Sequence, residues 1–79
     1  MPYVYIIRCQ DSTLYTGYTV DIERRLEEHQ QGMASKYTRG RTPVELVYVE
    51  KMATKSEAMQ REWQIKKLTR AEKQALIDG

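Results

Sequence analysis

Two strand-patterned segments separated by four turn-forming residues open the chain, and they constrain what the rest of it can fold into. Tyr3 to Cys9 is rich in β-branched and aromatic residues, which suit a pleated strand. Alternation places Tyr3, Tyr5, Ile7 and Cys9 on one face and Val4, Ile6 and Arg8 on the other. Gln10-Asp11-Ser12-Thr13 is turn chemistry, so Leu14 to Thr19 is expected to return as the second strand of a hairpin. Gly17 inside that strand signals a bulge or a close backbone approach. A lone hairpin is marginal in water, so later segments must cover it.

The later segments supply a helix, a strand and two more helices. Asp21 to about Gln31 reads as a helix, with Asp21 as N-cap, Gly32 as stop and Ile22, Leu26 and Met33 as its buried stripe. Ala34 to Thr42 reads as a loop. Pro43 to about Lys51 reads as a third strand, with Val44, Leu46 and Tyr48 on one face and Val47 and Val49 on the other. Thr54-Lys55-Ser56-Glu57 and Thr69-Arg70-Ala71-Glu72 both fit a capping box, which predicts helices from about Lys55 to Lys67 and about Arg70 to Ile77. The predicted order is β-β-α-β-α-α, an α+β layer in which helices cover a three-stranded sheet.

Size narrows the class further. The 79 residues support one domain, spanning 1–79, with a small core. Cys9 is the only cysteine, so no internal disulfide forms and a reducing cytoplasmic setting is expected. The start, Met1-Pro2-Tyr3, has no signal-peptide pattern, and no apolar run approaches the roughly 20 residues of a membrane span. Net charge is only +2, from 13 basic and 11 acidic residues, so distribution matters more than total. Lys36, Arg39 and Arg41 lie in a stretch without acidic residues, a composition that suits phosphate contact.

Five residues carry candidate chemistry. Glu62 falls on the apolar line of Ala58 and Ile65, where an unpaired carboxylate costs several kcal/mol. It therefore needs a cation, donors or a metal, and Lys66 one turn on is the simplest partner. His29 is the only histidine and shares a helix flank with Arg25, four residues earlier. One His and one Cys cannot make a zinc site. Mg²⁺ or Mn²⁺ asks for less, since one carboxylate with waters and substrate phosphates suffices. Arg25 can grip a phosphate bidentately if Arg24 occupies Glu28. Tyr5 and Tyr15 are ordinary strand aromatics taken singly. Lowering a phenol from about 10 to about 7 takes roughly 4 kcal/mol, which a nearby arginine and a divalent ion are expected to supply.

Together these residues resemble the GIY-YIG nuclease superfamily. Tyr3-Val4-Tyr5 is similar to its Gly-Ile-Tyr element, and Tyr15-Thr16-Gly17 to its Tyr-Ile-Gly element. Arg25 and His29 match the family's helix, and Glu62 the metal-binding glutamate of its later helix. The resemblance covers nearly the whole chain and is closest to small stand-alone bacterial members. Tyr3 stands in place of the first glycine, Thr16 in place of the middle isoleucine, and Tyr18 where excision-repair relatives have lysine. No asparagine occurs anywhere in the chain.

The resemblance implies a three-stranded antiparallel sheet, one divalent ion on Glu62 and in-line hydrolysis of a DNA phosphodiester. It implies that Arg25 stabilises phosphate charge, that Tyr5 or Tyr15 deprotonates or orients the water, with Tyr5 preferred, and that His29 assists by hydrogen bonding. Repair or processing of unusual DNA structures is the expected context, with specificity supplied by DNA structure or by a partner protein. Two other readings compete. One is a nucleic-acid-binding module without catalysis, resting on the basic loop. The other is a protein-interaction domain, with Met59, Trp63 and Leu68 as anchors.

Overall fold

In the computed structural model, which describes residues 1–79, the hairpin is the centre of the fold. Strand β1 (Tyr3–Arg8) pairs antiparallel with β2 (Leu14–Thr19) on one side and β3 (Glu45–Lys51) on the other, giving the sheet order β2-β1-β3. Helices α1 (Ile22–Gln30), α2 (Lys55–Lys66) and α3 (Arg70–Asp78) complete the predicted order. The hairpin turn is tied by Asp11, whose carboxylate accepts from both the backbone N–H and the hydroxyl of Thr13. Ser12 takes the left-handed backbone that closes it (φ 71°).

Burial explains why the central strand is apolar on both faces. Val4 and Ile6 pack with Ala58 and Ile65 of α2, joined by Leu76 and Ile77 of α3. Tyr5 and Ile7 pack on the opposite face with Cys9, Val44 and Leu46, covered by Ile22 and Leu26 of α1. Each of the fully buried isoleucines Ile6, Ile7 and Ile65 contributes about 1.5–3 kcal/mol by leaving water.

The caps work as the sequence predicts, with one difference. Asp21 accepts from the N–H of Arg24, and Thr69 with Glu72 makes the full reciprocal box. Thr54 caps α2 through the N–H of Glu57, but the Glu57 carboxylate meets the Thr54 hydroxyl instead of its backbone. No helix is long and apolar enough to cross a membrane.

Three expectations are corrected. Strand β3 begins at Glu45, not Pro43. Proline has no N–H for a ladder, and the backbone of Val44 is satisfied by Gln30, which donates to its carbonyl and accepts its N–H. A bulge between the Ile6–Tyr48 and Ile7–Leu46 pairs then breaks strict alternation. Val44 and Leu46 therefore face α1, while both Val47 and Tyr48 pack against the α2 side. Met33 lies outside the core at 68% exposure. The helix ends at Gln30, and Gly32 (φ 75°) turns the chain away before Met33 is reached.

Candidate functional site

The site forms over β2 because β2 is an edge strand and both sheet faces meet there. Tyr5 and Tyr15 come from the α1 face, since Tyr5 pairs with Gly17 and Tyr15 with Ile7. Tyr18, paired with Val4, comes from the α2 face. Arg25 of α1 and Glu62 of α2 close over the edge from opposite sides. These five line one cleft of about 380 Å³, with Gly17 and Lys55. A second cleft of about 260 Å³ adjoins it, sharing Thr19, Val20 and Arg25 and adding Arg24 and Glu28.

Gly17 makes the arrangement sterically possible. A Cβ at this position would lie 2.6 Å from Tyr5 Oη and 2.8 Å from its Cζ. Of the two meanings offered by a glycine in a strand, close approach is the one realised: the Tyr5 ring lies across the Gly17 backbone.

His29 is fully buried. Its ring sits edge-on to both tyrosines, with centroids 5.7 Å from Tyr5 and 5.2 Å from Tyr15. Nε2 is 2.7 Å from Tyr5 Oη, and Nδ1 is 2.9 Å from Thr38 Oγ1. The Thr38 hydroxyl donates to the Ser35 carbonyl at 3.3 Å. Having spent its proton there, Thr38 accepts from His29 Nδ1–H, which leaves Nε2 to accept from Tyr5. Proton donation thus runs from Tyr5 through His29 to the loop carbonyl. Burial pushes the Tyr5 phenol far above its usual 10, reinforced by Tyr15 and opposed by Arg25. Burial, then Arg25, pushes His29 below 6.5, partly offset by Glu28. Both are neutral near pH 7.

The charged members are already paired. Glu62, with its side chain 19% exposed, meets Lys66 Nζ at 3.3 Å. Arg25 was expected to be free, yet both Arg24 and Arg25 reach Glu28, at 3.5 and 3.0 Å. The Arg25 contact is an ion pair but not an aligned hydrogen bond, because the buried Arg25 Nε–H has no acceptor in line.

No cluster of three or more His, Cys, Asp or Glu side chains that could hold a metal occurs in the structure. The donor set at the cleft is one carboxylate, Glu62, facing a space of about 380 Å³. That suits a hard ion that keeps most of its waters, and does not suit zinc. Lys66 would have to yield its place on Glu62.

The basic loop is only partly available. Arg41 donates to Asp11 (3.0 Å) and to the Tyr37 carbonyl (2.7 Å), and its guanidinium lies 4.4 Å over the Tyr37 ring. This residue ties the loop to the hairpin turn. Arg39 reaches the Gly32 carbonyl at 3.4 Å, and Lys36 is exposed with no ion pair. Among the proposed apolar anchors, Leu68 packs into the core, while Met59 and Trp63 are exposed, with Lys67 Nζ 3.7 Å from the Trp63 ring centre. Sequence reasoning missed Lys55 and Thr38. Lys55 is a helix-start residue with no distinguishing pattern. Thr38 gains meaning only from the burial of His29.

Residues 1–75 match the profile described as the GIY-YIG catalytic domain. The chain is 60% identical over 75 residues to a protein of Natronomonas pharaonis named UPF0213, covering 95% of this chain and 88% of that one. It is 58% identical over 77 residues to the UPF0213 protein of Halobacterium salinarum, covering 98% and 100%. The solution NMR structure of the UPF0213 protein from Bacillus halodurans is 46% identical with a TM-score of 0.63, covering 99% of this chain and 84% of that one.

Proposed function

The chain belongs to the GIY-YIG catalytic domain family, and on that premise we propose that it is a metal-dependent endonuclease that hydrolyses DNA phosphodiester bonds. The carrying observation is the cleft of about 380 Å³, where Tyr5, Tyr15, Arg25 and Glu62 face one space with neutral His29 hydrogen-bonded behind Tyr5.

Tyr5 is too high in pKa to wait as a phenolate. The hydrogen bond to His29 Nε2 removes that need, because Tyr5 passes its own proton to His29 as it takes one from the attacking water, whose oxygen bonds to phosphorus while the P–O bond to the leaving oxygen breaks. Thr38 accepts from His29 Nδ1–H, so Nε2 is the nitrogen that takes the proton; His29 becomes an imidazolium and the leaving oxygen takes a proton from solvent. Arg25 leaves its misaligned contact with Glu28 and donates to a non-bridging phosphate oxygen, stabilising charge as it builds in the transition state. Glu62 is the residue that would hold a Mg²⁺ or Mn²⁺ ion, which when bound supplies Lewis-acid polarisation of the phosphate. Lys66, displaced from Glu62, and Lys55 remain at the cleft to balance phosphate charge. Lys36 and Arg39 would contact the backbone further out, with Arg41 fixing the loop that carries them. The setting we favour is repair or processing of unusual DNA structures in the cytoplasm, with a partner protein as one source of specificity.

The alternative is a DNA-binding module that does not cut. Its support is the self-neutralised site, with Glu62 on Lys66 and Arg25 on Glu28. Nicking of plasmid and branched DNA in Mg²⁺ or Mn²⁺ separates the two. Cleavage by the wild type that disappears in Glu62→Ala supports the nuclease; salt-sensitive binding with no cleavage at any metal concentration supports the module.

A further inference from the structure

Three clefts follow one another along the free edge of β2, and only two of them belong to the site above. The Arg24–Arg25 cleft lies by Thr19 and Val20, and the catalytic cleft by Tyr15 to Thr19. The third, of about 190 Å³, lies at the other end of the strand, by Thr13 and Leu14, and its polar walls are Tyr37, Arg70 and Lys73. It joins the catalytic cleft through the Tyr37 and Tyr15 rings, whose centroids are 5.7 Å apart. Lys66 Nζ stands 6.0 Å from the Tyr15 ring centre at the same junction.

Charge distinguishes this third cleft, which is lined by two cations without an acidic partner and by no acidic residue. Lys36, Arg39, Lys51, Lys55 and Lys67 are also unpaired, but no two of them line one cleft. Arg70 and Lys73 are three residues apart on one face of α3, so both cations point into the same space. The capping box at the start of α3 takes the N–H groups of Thr69 and Glu72, and Glu72 is thereby turned to the backbone while Arg70 and Lys73 line the cleft. Thr13 to Thr19 spans about 20 Å at a strand rise of about 3.3 Å. That exceeds the axial rise of about 3.4 Å per phosphate of one duplex strand several times over, so the clefts at the two ends can meet different phosphates of one strand.

We propose that the Arg70–Lys73 cleft is a distal phosphate-binding subsite for the strand that is cut, and that this strand runs along the β2 edge through all three clefts. The proposal deepens the nuclease reading and rests on it for the identity of the ligand. Tyr37, braced by Arg41, separates the subsite from the cleavage position.

The test is binding of a labelled 12-nucleotide DNA strand and a 12-base-pair duplex, without divalent metal, across a salt series by fluorescence anisotropy. Arg70→Gln, Lys73→Gln, the double variant and Lys51→Gln are compared with wild type. Lys51 is an equal charge on β3, the opposite edge of the sheet. Each cleft variant should lower the slope of log K against log[salt] by about 0.7 on the single strand or about 0.9 on duplex, and the double variant by about twice that. Lys51→Gln should leave the slope unchanged. An unchanged slope in the double variant, or an equal drop in Lys51→Gln, overturns the subsite. Plasmid nicking with Mg²⁺ keeps the two claims apart. Nicking by the wild type with no slope change in the double variant defeats the subsite alone; the predicted slopes with no nicking defeat the nuclease reading alone. A wild type that binds neither DNA defeats both.

Discussion

Tyr5 Oη and His29 Nε2 share a buried hydrogen bond of 2.7 Å between two groups that burial keeps neutral. Nine residues further on, Thr38 fixes the direction of that bond by accepting from the other ring nitrogen. Tyr5→Phe would leave Nε2 buried without a donor. The expected loss is about 1–3 kcal/mol in urea unfolding, with nicking reduced by about 10²–10⁴-fold. Tyr15→Phe should cost cleavage less, because its hydroxyl is not joined to His29. A larger loss at Tyr15 than at Tyr5 would move the base to Tyr15.

The same pair sets the pH range of the fold. The folded pKa of His29 lies below 6.5, so the unfolded chain binds more protons as pH falls through 6.5. Stability contributed by neutral His29 is complete above that value and is lost as pH drops toward the folded pKa. Tyr5 acts at the other end. Its folded pKa is raised above 10, so stability is complete below 10 and is lost as pH rises beyond it. Urea midpoints measured from pH 5 to 11 should fall at both ends. His29→Gln should flatten the acid limb and Tyr5→Phe should flatten the alkaline limb.

Gly17→Ala tests how Tyr5 is placed. The new methyl would meet Tyr5 Oη at 2.6 Å, so the ring must leave its position. Overpacking of this kind costs about 1–3 kcal/mol. Cleavage should fall with it, as far as in Tyr5→Phe. A folded Gly17→Ala with wild-type nicking would show that the Tyr5 position is not needed.

Thr16→Val is expected to stabilise. Thr16 Oγ1 is buried beside the Val4–Ile6 face and has no hydrogen-bond partner. An isosteric methyl removes that unmet group and should raise stability by about 1–2 kcal/mol in urea titration.

How much of this was legible in the sequence follows from which residues act locally. The hairpin, the helix starts at Asp21, Thr54 and Thr69, and the element order depend on neighbours in the chain, and alternation and caps reveal them. The bulge at Val47 depends on how β3 meets β1, so its faces were misassigned. Met33 fitted a helical stripe that Gly32 ended too soon. Tyr5, Tyr15, Arg25, His29 and Glu62 could be named through resemblance, but the burial of His29 and the pairing of Arg25 with Glu28 could not. Those depend on α1 closing over the Tyr5 face and on the loop delivering Thr38. Arg70 and Lys73 carry no distinguishing pattern in the sequence, because only the topology sets them beside Thr13 and Leu14 at the end of the β2 edge.

The central claim is that this constellation cuts DNA with Glu62 holding the ion. The most direct measurement compares plasmid nicking by wild type and Glu62→Gln in Mg²⁺ or Mn²⁺, with DNA affinity measured alongside. Glu62→Gln keeps the side-chain shape and removes the charge. The account predicts loss of nicking by at least about 10²-fold, as expected when an essential catalytic group is removed, with affinity retained. Equal nicking by the two proteins would contradict it.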